Sequence, residues 1–71
     1  MTAHEIVDLN RARAALARQC HAITKRMGAI DLAPVSMAED LTRILLAIEA
    51  VDRALVVAGH PYLPPELQAG T

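Results

Sequence analysis

Apolar residues recur along most of this chain at alternating spacings of three and four. Ile6, Leu9, Leu16, Cys20, Ile23, Met27 and Ile30 keep that rhythm through the first part, with Arg13 the one charge in the series. Met37, Leu41, Ile44, Ile48, Val51, Leu55 and Ala58 repeat it in the second part. On an α-helix this spacing puts each series on one face, a coiled-coil-like seam held over about three heptads. A half-buried strand would alternate by two, and neither segment does.

Start and stop signals bound the two segments. Thr2 with Glu5, and Ser36 with Glu39, have the spacing of a capping box, in which side chains satisfy the free amides of a first turn. Lys25 and Arg26 fall in a last turn, where cations suit the helix dipole, and Gly28 follows as a stop. Gly59 followed by Pro61 ends the second segment in the same way. The pattern predicts one helix over about 3–27 and another over about 37–58, each roughly 33–38 Å long. A connection this short sets them antiparallel. The expected fold is therefore all-α, a two-helix hairpin over 1–59. A proline-rich tail follows over 60–71, HPYLPPELQAGT, extended and with a single helical turn after Pro64–Pro65.

Antiparallel pairing about the loop sets residues whose numbers sum to roughly 65–68 across from one another. Asp52 then stands opposite Arg13, and the expectation is an ion pair that fixes register more than it adds net stability.

The seam does not account for all the apolar residues. Leu46, Ala50, Ala54 and Val57 form a second stripe on helix two, and Leu45 and Val56 flank its seam. Helix one adds Val7, Ala14 and Ala17. A plain hairpin needs one apolar stripe per helix and a polar remainder. The excess predicts a core completed by association, with a second copy in an antiparallel four-helix bundle or with a larger protein. The expected contact residues are Leu46, Ala50, Arg53, Ala54 and Val57.

Composition narrows the class. A chain of 71 residues makes one small domain, marginal without disulfides, a metal or oligomerisation. Cys20 is the one cysteine, which excludes an internal disulfide and suits a reducing compartment. With no secretory leader at the N-terminus, the expected location is cytoplasmic. The longest strongly apolar runs, Ile44–Ile48 and Ala54–Ala58, are five residues each, far short of a membrane span. There is no Trp or Phe and one Tyr, so the core must be aliphatic, and fourteen alanines suit closely packed helices.

The net charge of −1 hides an uneven distribution. Five of the seven basic residues, Arg11, Arg13, Arg18, Lys25 and Arg26, lie in helix one, with no acid between Leu9 and Ile30. Arg11, Arg18 and Lys25 recur every seventh residue and make a ridge about 21 Å long opposite the seam. Such a ridge suits phosphates or an acidic protein surface, and in an interaction module Arg11, Arg18 and Lys25 are expected to serve as an electrostatic rim to the apolar contact. Against nucleic acid stand the lack of stacking aromatics, the lack of a Gly-rich phosphate loop and the slightly negative net charge. A small nucleic-acid-associated regulator is therefore the alternative reading.

No metal or cofactor is expected. Cys20 and His21 are adjacent and so diverge by about 100° on a helix, while His4 and His60 at the open end would supply only two ligands. No nucleophile stands beside a base in a readable motif, no small-molecule ligand is evident, and the chain is not expected to be an enzyme. The basic helix resembles that of the all-helical chorismate mutases, which bind an anionic substrate between helices of a dimer, but their third helix has no counterpart. The hairpin also resembles the small phosphatases of sporulation response regulators. Their Ser-Gln-Glu-Leu-Asp motif is absent, helix two reading SMAEDLTRIL, and no residue role carries over from either family. The expected function is that of a non-enzymatic interaction module: an accessory subunit, adaptor, regulator or inhibitor.

Overall fold

A computed structural model describes residues 1–64 and Leu67. Within them the chain forms two helices, α1 over Ala3–Gly28 and α2 over Val35–Val57, packed against each other, and no strand. The helical turn expected after Pro64–Pro65 lies mostly outside the described residues. What is described there is that the Leu67 amide donates to the Pro64 carbonyl at 3.0 Å.

α1 begins at a side-chain cap. Thr2 is extended (φ −79°, ψ 160°), its Oγ1 accepts the Glu5 amide at 3.2 Å and its carbonyl accepts the Ile6 amide at 3.1 Å. Glu5 in the first turn and Lys25 and Arg26 in the last complement the helix dipole. The helix closes by a tightened turn, the Ala29 and Ile30 amides donating to the Arg26 and Met27 carbonyls at 3.2 and 3.5 Å. Gly28 is the last helical residue and not a left-handed stop, since Gly59 alone among the described residues has a positive φ.

α2 starts two residues earlier than its sequence pattern suggests, and Ser36 does not cap it. Pro34 occupies the cap with φ −60° and ψ 144°, there is no side-chain cap bond, and the Pro34 carbonyl accepts the Met37 amide at 3.0 Å. The pyrrolidine ring pre-sets the backbone at the helix entrance, so the first turn is already closing when the chain reaches Ser36. At the other end Ala58 is the last α-region residue and Gly59 turns left-handed at φ 80°. The His60 amide then reaches the Leu55 carbonyl at 2.9 Å and the Gly59 amide the Val56 carbonyl at 3.0 Å. These are the two bonds of a Schellman motif.

The seam residues of both helices meet along the hairpin. Leu55 is fully buried and Ile23 nearly so, and among the described residues they are the two buried apolar side chains. Ile6, Leu9, Leu16, Cys20, Met27, Leu41, Ile44, Ile48 and Val51 are half-buried. Ile30, expected to continue the first seam, is exposed because the helix has ended before it.

The molecule measures 44 × 25 × 15 Å. A helix with its side chains is about 10–12 Å across, so the shortest dimension is that of a single helical layer. The radius of gyration is 14.3 Å, against about 11 Å for a compact domain of this length. One layer of two helices buries one side of each and leaves the rest facing outward.

Candidate partner-binding face

Seen down α2, Leu46, Ala50, Arg53 and Val57 lie on the side opposite the seam, because each is half a helical turn away from Leu55 or its seam neighbours. All four are exposed, Leu46 at 60% and Val57 at 83%. Ala54 is rotated towards α1 and half-buried, beside a shallow recess lined by Met1, Glu5, Asp8 and Leu9. These five side chains share the outward face of one helix, with Ala54 at its edge towards α1. Val56 and Leu45, at 60% and 45%, border it from the other side.

Arg11, Arg18 and Lys25 are exposed on the outer side of α1, and among the described residues none of them makes an ion pair. They stand on the opposite helix from the apolar stripe. The basic ridge and the stripe are therefore two separate surfaces, each opposite its own helix's seam, and the ridge is not the electrostatic rim of the stripe that the sequence suggests.

Arg13 is the charged residue that does go inward. Its Nε donates to Asp52 Oδ1 at 2.7 Å across the helix interface, with the arginine side chain 19% exposed and the carboxylate 39%. The guanidinium also lies over the Tyr62 ring, 4.8 Å from its centroid. The chain leaving α2 thus turns back onto the hairpin, and Tyr62 is half-buried there. Beyond this knot a groove opens between the helices, lined by Arg13, Ala17, Cys20, His21, Thr24, Leu45 and Ile48. Cys20 is a free, half-buried thiol in its floor.

Two features carry no signal in the period of the sequence. Asn10 is half-buried on α1, where its Nδ2 donates to the Ile6 carbonyl at 3.0 Å while its Oδ1 has no partner among the described residues. Leu32 and Val35, at the loop end of the hairpin, are 90% and 73% exposed.

Among the described residues no three His, Cys, Asp or Glu side chains gather as metal ligands would, and no helix is long and apolar enough to cross a membrane. No protein-family model, curated protein or solved structure matches the chain. The surface itself is what bears on function.

Proposed function

We propose that this chain is a non-enzymatic, cytoplasmic protein-interaction module, an accessory subunit, adaptor or regulator, that docks through the outer stripe of α2. The observation that carries this reading is a chain one helix layer thick with, among the described residues, two buried apolar side chains and a ladder of exposed ones on a single helix. By the usual scaling a 7.6 kDa monomer exposes about 4300 Å². This chain exposes 5265 Å². Isolated surface leucines need no explanation, but Leu46 and Val57 on one stripe with Ala50 and Ala54 form a patch of the kind that marks an interaction site. Arg53 at its edge adds the residue type that interfaces favour.

The test is association by the full chain and by Leu46→Ser/Val57→Ser, both sites being exposed and off the seam. Affinity capture from the native lysate, with and without nuclease, followed by native mass of the eluate, reads it. The module reading expects a stoichiometric complex that survives nuclease and high salt and is lost in the double variant. A complex retained by the double variant sinks it. The exposed ridge of Arg11, Arg18 and Lys25, without ion pairs among the described residues, favours one second reading, a nucleic-acid-associated regulator. That reading expects material lost to nuclease and binding that weakens steeply with salt.

A further inference from the structure

The outer face of α2 is arranged symmetrically about one point. Leu46 and Val57, Glu49 and Arg53, and Ala50 and Ala54 are three pairs whose midpoints fall within half a residue of that point, between residues 51 and 52, on residue 51 and on residue 52 respectively. On the helix they also sort by side. Leu46 and Val57 lie along the middle of the outward face, Glu49 and Arg53 towards one flank, Ala50 and Ala54 towards the other. When two such helices pack antiparallel about a twofold axis, like flanks meet and each residue faces the other member of its pair. Leu46 of one chain then covers Val57 of the other. Glu49 meets Arg53 twice over, and Ala50 meets Ala54 where their small side chains let the backbones approach. Glu49 and Arg53 are exposed and neither makes an ion pair among the described residues, so both are free to pair across an interface.

We infer that the occupant of this face is a second copy of this chain, bound antiparallel along α2 with its twofold axis beside residues 51 and 52. This rests on the reading of α2's outer stripe as a docking surface and adds the partner and the register. A partner of unrelated sequence would have no reason to select a face that complements itself in size, charge and small residues about one centre. The area is also of the right order. The chain as a whole exposes about 1000 Å² more than a compact monomer of its mass, and one side of a standard interface buries about 800 Å². A dimer built this way sets four helices side by side and gives Leu46 and Val57 the cover that one hairpin cannot.

The experiment is native mass and sedimentation of the full chain at micromolar and sub-millimolar concentration, with three variants. The wild type is expected at twice 7.6 kDa, and Leu46→Ser/Val57→Ser at the monomer mass with its helicity kept. Glu49→Arg and Arg53→Glu each place like charges opposite one another at both ends of the pair and should weaken the dimer on the order of tenfold. Mixing those two defective variants restores both pairs in a heterodimer, so the mixture should recover wild-type affinity. A monomer at every concentration overturns the inference, and so does a dimer indifferent to Leu46 and Val57. A dimer whose charge variants fail to complement overturns the register. If the chain is monomeric while a foreign protein is captured through Leu46 and Val57, the second copy is excluded and the docking surface stands. If that capture is also indifferent to the double variant, both readings fall.

Discussion

The Arg13 guanidinium is held on two sides at once: its Nε donates to Asp52 Oδ1 at 2.7 Å, and its Cζ lies over the Tyr62 ring, 4.8 Å from the ring centre. One side chain of α1 thereby ties down α2 and the segment that follows α2. The ion pair has a directional charged hydrogen bond and sits partly out of water, which favours it, while the 39% exposure of Asp52 lets solvent screen it. The ring contact adds a smaller attraction, since a cation over an aromatic face at a partly exposed site contributes about 0.5–1 kcal/mol.

Breaking the knot should therefore cost modestly and cooperatively. Asp52→Asn and Tyr62→Ala are each expected to lower stability by about 1 kcal/mol. In the Arg13→Ala background both effects should shrink towards zero. A double-mutant cycle in urea at one protein concentration reads the coupling. Additive losses would mean that Arg13 reaches water and that the two contacts do not bear on stability.

The two helix starts make a paired test. Thr2 caps α1 through its hydroxyl, whereas Ser36 lies inside α2 behind Pro34 and makes no cap bond. Thr2→Ala should cost about 1 kcal/mol. Ser36→Ala should be neutral or slightly stabilising, because alanine is the better helix former at a position where the hydroxyl does nothing for the first turn. Thermal melts followed by far-UV circular dichroism distinguish them. Equal losses at the two sites would restore Ser36 as a cap.

Two glycines should respond with opposite signs. Gly28 has helical φ, and a Cβ built there meets nothing within 4 Å, so Gly28→Ala removes chain entropy from the unfolded state at no steric cost. A gain of about 0.5–1 kcal/mol is expected. Gly59 also has open space around it, but its φ of 80° is left-handed. Gly59→Ala should lose on the order of 1 kcal/mol and fray the Schellman turn. Hydrogen exchange at the His60 amide, which donates to the Leu55 carbonyl at 2.9 Å, reports that fraying directly.

The period of the sequence carried the helices, because a seam at spacings of three and four calls for a second apolar face to cover it, and the short connection carried their antiparallel orientation. The height of Asp52 opposite Arg13 follows from antiparallel counting alone. The outward position of Leu46, Ala50, Arg53 and Val57 follows as well, since a residue half a turn from the seam must face away from it. Other features have no period to read. Ser36 looks like a cap until the φ of Pro34 is taken into account, and Ile30 continues a spacing that the backbone has already abandoned. The place of Tyr62 on Arg13 is a contact between residues far apart in sequence, set by where Gly59 turns the chain.

Burial separates the two apolar stripes of α2 energetically. Leu55 has no exposed surface, so Leu55→Ala loses its transfer free energy and leaves a cavity between the helices, about 3 kcal/mol. A domain of this length holds on the order of 4–10 kcal/mol in all, so that one change takes a large part of the hairpin's stability. Leu46 is 60% exposed and touches little within its own chain. Leu46→Ala should cost the isolated hairpin no more than about 0.5 kcal/mol. Melting both variants over a range of chain concentrations separates folding from association, because any species that binds the folded state makes Tm depend on concentration. Leu55→Ala should lower Tm at every concentration. Leu46→Ala should lower it only where the wild type is associated, and an equal loss at high dilution would place Leu46 in the hairpin's own core.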